Sequence, residues 1–224
     1  AAIEAKWWLT QFRLANPAAR IKLMEGNHEH RMVDQLNNHL KEAFGIRSVD
    51  GLELPALMSV PRILALHDLD IEWIGDYPNG ESWINDYIVV EHGSTVKAKS
   101  GATVMAMVAE ANETRIIGHI HRREQASRTV HARDGQRTIT VFCPGCLCRI
   151  DGAVPAARAR VNWQQGVGIV EYRMDGSSDH NVFSIPIHDG RAVYNGKIYE
   201  ARDRLSELRQ DVGTMYEDGR GWNF

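Results

Sequence analysis

Hydrophobic and polar positions along this chain follow two periods. Ile3, Trp7, Trp8 and Phe12 recur at helical spacing and predict a helix that stops at Asn16-Pro17, with its aromatic residues in a core. Residues 20–24 then read as a short buried strand running into Gly26. Met32, Leu36, Leu40 and Phe44 predict a second helix ending at Gly45. Residues 52–69 read as mostly helical, with Pro55 and Pro61 at starts or breaks. Short strands come next at 71–74 and 87–91, separated by the turn Tyr77-Pro78-Asn79-Gly80. A helix over 103–111 leads to a strand over 114–117 that ends at Gly118.

The character then changes. Residues 126–132 and 138–142 flank Asp134-Gly135, a hairpin signal, and 192–199 hold Asn195-Gly196, another. Strands are predicted at 167–172 and 182–187, a closing helix over 201–212 and a flexible tail over 213–224. Strand–helix alternation succeeded by an antiparallel run predicts an α/β protein with two mixed β-sheets and helices outside. At 224 residues the chain is expected to be a single domain.

Composition narrows the classes only a little. A net charge of −3 carries no global sign of nucleic-acid or membrane binding, and no apolar run is long enough to span a bilayer. Cys143, Cys146 and Cys148 form an odd, clustered set, which argues against a secreted disulfide framework and for a reducing, cytoplasmic setting. The cluster reads as a buried turn between strands, with a zinc knuckle as the alternative.

The candidate chemistry lies in three segments, each placed after a predicted strand: Gly26-Asn27-His28-Glu29, then His92-Gly93, then Gly118-His119-Ile120-His121. Ligands gather at such strand ends in α/β folds. Histidines at i and i+2 share one face of a regular strand, whereas on a loop leaving the strand they can diverge and feed two ions roughly 3.5–4 Å apart. Asn27 offers a neutral oxygen, and imidazoles suit Mn, Fe or Zn. The bland reading of G-N-H-E alone is a turn with Asn27 as a helix cap. His30, His39, His67, His131, His180 and His188 have no motif around them and read as structural.

The order G-N-H-E, H-G, G-H-x-H resembles the second half of the calcineurin-like metallophosphoesterases. The resemblance covers roughly residues 1–121 by motif. The segments Phe142-Cys143-Pro144-Gly145-Cys146-Leu147-Cys148 and Asn162-Trp163-Gln164-Gln165-Gly166 also look like the C-terminal parts of phosphoesterases from phages and prophages. It implies a four-layer αββα sandwich around a dinuclear centre, here an incomplete domain lacking its N-terminal strands. Asn27, His92 and His119 would bind one divalent ion and His121 the other, with Mn favoured and Fe, Zn or Ni as alternatives. His28 would lie beside the substrate phosphate as the catalytic residue. A metal-activated hydroxide would attack a phosphoester, more often a phosphodiester, and the substrate could be DNA or RNA.

The family's D-x-H and G-D-x-x-D motifs do not precede Gly26. Gly75-Asp76-Tyr77-Pro78-Asn79 reads as a turn and not as their relic. By the family pattern, this chain alone is therefore expected to have little or no turnover. The rival readings are a non-catalytic binding module on the same fold and an inactive fragment of the enzyme.

Residues 122–160 hold eight arginines against Glu124, Asp134 and Asp151. Arg122 and Arg123, directly after the motif, are the candidate substrate-binding residues, a basic rim for a phosphodiester backbone. A solvated, salt-bridged hairpin is the competing reading.

Overall fold

A computed structural model describes residues 2–49, 53–133, 135–148, 150 and 161–201. The expected closing helix and the tail over 213–224 lie outside the described residues, apart from Ala201. The fold is mixed α/β, with three sheets and few helices among the described residues. No helix among them is long and apolar enough to cross a membrane. The described residues fall into two compact units, those of 2–23 and 28–74 with Ala201 in the first, and those of 24–27 and 75–200 in the second.

The first unit takes most of its structure from helix α1 (Ala2–Ala15), strand β1 (Ile21–Met24), helix α2 (Asn27–His39), the short helix α3 (Val60–Ile63) and strand β2 (Ile71–Ile74). Strands β1 and β2 form a two-stranded sheet. The core is Leu64, Leu66 and Ile71, with Leu9, Ile21, Leu23 and Val60 packed against it. The aromatic face of α1 is not its core face. Trp8 and Phe12 are 45% and 46% exposed, and α1 carries no fully buried residue. The helix docks instead through Leu9 and Arg13, one turn apart. The Arg13 guanidinium donates to the carbonyls of Leu69 at 2.7 Å, Asp70 at 2.6 Å and Ala19 at 2.7 Å. Those charge-assisted bonds set the helix rotation and leave Trp8 and Phe12 outward, with Trp7 half-buried.

Residues 52–69 are far less helical than their pattern predicts. Pro61 lies in the first turn of α3. Ala65 and Asp70 sit in the left-handed region at φ 48° and 50°, and the chain between them makes only a single 3-10 turn.

The second unit holds two sheets. Strands β3 (Glu81–Asn85), β4 (Ile88–Glu91), β5 (Thr114–Ile117), β6 (Arg123–Ala132) and β7 (Gly135–Pro144) form the first, in the order β3-β4-β5-β7-β6. Its central strands β4, β5 and β7 run parallel, and β3 and β6 are antiparallel edges. Arg115 on β5 bonds Glu91 at 2.8 Å and also reaches Glu81 and Glu113, lacing β3, β4 and β5 together. Strands β8 (Gln165–Tyr172), β9 (His180–His188), β10 (Arg191–Tyr194) and β11 (Lys197–Glu200) form the second sheet, antiparallel throughout. The β10–β11 hairpin closes through Asn195-Gly196, both at positive φ, as its two-residue turn requires.

Helix α4 (Ala102–Glu110) and the second sheet take opposite faces of β7, because side chains alternate along a strand. Ile139, Val141 and Cys143 pack with Val104 and Val108 of α4. Phe142, from the other face, lies where a Cβ on Gly168 of β8 would meet its ring at 2.8 Å. Two side-chain bonds stitch the same face: Thr114 Oγ1 to His180 Nε2 at 2.8 Å, and Arg123 Nε to Ser184 Oγ at 2.6 Å.

Phe142 is therefore the apolar anchor between the sheets. Phe142→Ala is expected to cost about 3–5 kcal/mol in denaturant unfolding, while Met174→Ala, at an exposed site, stays within about 0.5 kcal/mol. A Phe142→Ala loss below about 1 kcal/mol would show that the sheets are held by other contacts.

Candidate metal centre

The parallel register decides where the motif residues emerge. Ile88 pairs with Thr114 and Arg115 with Val141, so β4, β5 and β7 end on the same side of the sheet. His92 comes directly after β4, Gly118 to His121 come after β5, and the three cysteines run from the end of β7 into the loop beyond it. The ends of β4, β5 and β7 are pinned together, since Cys143 Sγ donates to the Gly118 carbonyl at 3.5 Å, and Gly118 N donates to the His92 carbonyl at 3.1 Å.

Asn27, His92 and His119 converge. Asn27 Oδ1 lies 3.1 Å from His92 Nε2 and 3.3 Å from His119 Nδ1, and the two imidazole rings meet edge to face at 5.2 Å. Ligand atoms about 2.1 Å from one ion, at angles of about 90–110°, sit about 3.0–3.4 Å apart. The spacing and the donor set, one neutral oxygen and two imidazole nitrogens, both fit a divalent ion.

Glycine is needed at one place in this group. A Cβ on Gly26 would lie 2.5, 2.7 and 2.9 Å from three atoms of the His92 ring, so the imidazole rests on bare backbone. Gly118, the glycine that the motif itself points to, would meet nothing closer than 3.5 Å. Tyr77 packs edge-on against His92 at 5.6 Å, and its N–H donates to the buried Glu25 carboxylate at 3.0 Å. The 75–80 segment is a turn, with Asn79 and Gly80 N–H groups both bonded to the Asp76 carbonyl. Tyr77 and Glu25 carry no motif, and only their adjacency to Pro78 and Gly26 marks them.

The two histidines of G-H-x-H diverge. Both occupy the left-handed region, His119 at φ 60° and His121 at φ 56°, around the buried Ile120. Such a backbone costs a β-carbon residue roughly 1–2 kcal/mol and is held by its surroundings. His119 turns to Asn27. His121 turns to Cys146 and Cys148, with ligand atoms all within 4.8 Å of one another, and its ring meets Trp163 at 4.4 Å. The two segments 142–148 and 162–166 thus meet at His121: Gln164 N bonds the His121 carbonyl and Cys146 N bonds the Gln164 carbonyl. Burial pushes the Cys143 thiol up to about 11. Burial, reinforced by the neighbouring Cys148 thiol, pushes Cys146 up to about 12.

His28 is exposed, at the second position of α2, and falls in the first unit, whereas Asn27 closes the first segment of the second. Arg122 is not on a rim. Its side chain is buried, pairs with Glu124 at 2.7 Å and donates to the Lys97 carbonyl at 2.9 Å. Arg122 stands one residue before β6, and its side chain falls on the same inward face as Glu124 two residues on. Arg123 is half-buried and spends its Nε on Ser184. Arg149, Arg158 and Arg160, also counted in the basic window, lie outside the described residues. The chain matches no protein-family model, no curated protein and no solved structure.

Gly26→Ala should displace the His92 ring and weaken divalent-metal binding at least about tenfold, the range seen when ligand orientation is lost, with the melting temperature little changed. Unaltered affinity by calorimetry would mean the ring is free to move. Arg122→Ala should destabilise the fold by about 3–5 kcal/mol, because Glu124 is left buried without its cation and with only the Ser100 hydroxyl at 3.3 Å. An exposed-type loss under about 1 kcal/mol in urea unfolding would contradict that pairing.

Proposed function

We propose that this chain belongs to a divalent-metal-dependent phosphoester hydrolase, more often acting on a phosphodiester. The observation that carries the reading is the convergence of Asn27, His92 and His119 from three separate strand ends at metal-ligand spacing. Two imidazole N–H groups bonded to the Asn27 oxygen are the structural alternative, and it is the order of the motif segments that favours an ion. The order of the G-N-H-E, H-G and G-H-x-H segments supports the same reading.

Bound divalent ions, Mn foremost, would supply charge neutralisation and an activated water. Asn27, His92 and His119 would hold one of them. Gly26 keeps the His92 ring in place, and Tyr77 walls its edge. His28 is proposed to stabilise charge on the phosphoryl group or to protonate the leaving oxygen, for which an exposed imidazole is chemically suited. The αββα sandwich is the architecture this reading implies. What favours it is the packing of α4 and the second sheet on opposite faces of β7. The alternative is a non-catalytic binding module, and nothing among the described residues specifically favours it.

The test is hydrolysis of an aryl phosphodiester and an aryl phosphomonoester by the protein that carries this chain, with and without Mn²⁺. Activity should fall by about 10²-fold or more in His92→Ala and His119→Ala, by loss of metal, and in His28→Asn, by loss of the proton donor. Hydrolysis that survives both chelation and these substitutions would rule the mechanism out.

A further inference from the structure

We infer that His121, Cys146 and Cys148 form a separate metal site, selective for a thiophilic divalent ion such as zinc. Their ligand atoms lie within 4.8 Å of one another. Ligands of a tetrahedral zinc, with Zn–S about 2.3 Å and Zn–N about 2.0 Å, sit about 3.5–3.8 Å apart, so small side-chain rotations close the site. Two sulfurs and one imidazole are a soft set, against the oxygen and two nitrogens of the Asn27 group, and donor softness sorts metals between sites.

The backbone frame holds the three donors independently of any ion. The His121 carbonyl accepts Gln164 N at 2.9 Å, and Cys146 and Gln165 form a parallel bridge, with Gly166 N bonded to the Cys146 carbonyl at 3.0 Å. Gln165 Nε2 donates to the Cys148 carbonyl at 2.9 Å. Gly145, at φ 105°, leaves no room for a Cβ beside the Gln164 carbonyl, so the cysteine loop lies directly on the segment that leads into Gln165. The Trp163 ring fixes the imidazole from the side. Left-handed backbone at His121 directs this imidazole to the sulfurs instead of along the strand. Cys143 stands outside the set: it is fully buried and bonded to Gly118.

Three protein donors leave a fourth position for water or an exogenous ligand. The ion would clamp the end of β5 to the loop beyond β7, so its binding stabilises that loop. On this assignment His121 serves the thiolate site and not a second hydrolytic ion. The inference does not depend on the hydrolase reading.

The test uses Co²⁺ as a probe on the full chain under reducing conditions. Wild type should show one equivalent of thiolate-to-cobalt charge-transfer absorption, displaced by Zn²⁺ but not by Mn²⁺. Cys146→Ser and Cys148→Ser should abolish it, and His121→Asn should shift it. Asn27→Ala should leave it intact while losing the Mn²⁺ binding on which the hydrolase reading rests, so the two ideas fail separately. A second measurement needs no variant: zinc should slow alkylation of Cys148 in the wild-type protein by about tenfold or more. Absence of the charge-transfer band, its survival in the Cys146→Ser/Cys148→Ser double variant, or a Cys146–Cys148 disulfide under the same conditions would overturn the assignment.

Discussion

The parallel alignment of β4, β5 and β7 is the constraint on which the second unit depends. Parallel strands all point their carboxyl ends one way, so the loop after each of them is delivered to a common edge. His92, His119, His121 and the cysteine loop are there for that reason. The alignment in turn rests on β7 being buried on both faces, against α4 on one and the second sheet on the other. A one-residue slip would exchange the two faces, setting Phe142 against α4 and Val141 and Cys143 against the second sheet, so the shapes of the packed side chains hold the register. The core thus fixes the register, and the register fixes the candidate sites.

At that edge the chain separates two kinds of chemistry over only three residues. His119 and His121 are both forced into left-handed backbone, and the buried Ile120 between them acts as the pivot. One imidazole turns toward an amide oxygen and a second imidazole, the other toward two thiols. Hard and soft donor sets arise side by side from one G-H-x-H segment. Close backbone approach sustains both: His92 lies on Gly26, and the cysteine loop lies on Gln164 through Gly145.

Several residues read differently in sequence and in space. Asn27, His92 and His119 were legible as a group because ligand-type residues beside glycine at strand ends are uncommon outside sites. Trp163 and Tyr77 were not, because an aromatic ring packed on a histidine has no spacing signature. Arg122 looked like part of a basic rim, yet charge count cannot tell a rim from a buried ion pair, and Glu124 two residues on was the relevant clue. Trp8 and Phe12 looked like core on periodicity, but Arg13 bonding to three carbonyls rotates the helix onto Leu9.

What the sequence by itself determined is the set of elements from β4 to β11 and the identity of the candidate ligands. Period-two runs, the Asn195-Gly196 turn and glycines at strand ends are local, and local chemistry is written in neighbouring residues. What only the tertiary structure decided is which ligands belong together. Gly26 and His92, or His121 and Cys146, are far apart in the chain, and their meeting depends on strand order, register and backbone hand at two histidines. Those are properties of the packed sheet, in which side chains from distant segments compete for the same space, and no local pattern encodes them.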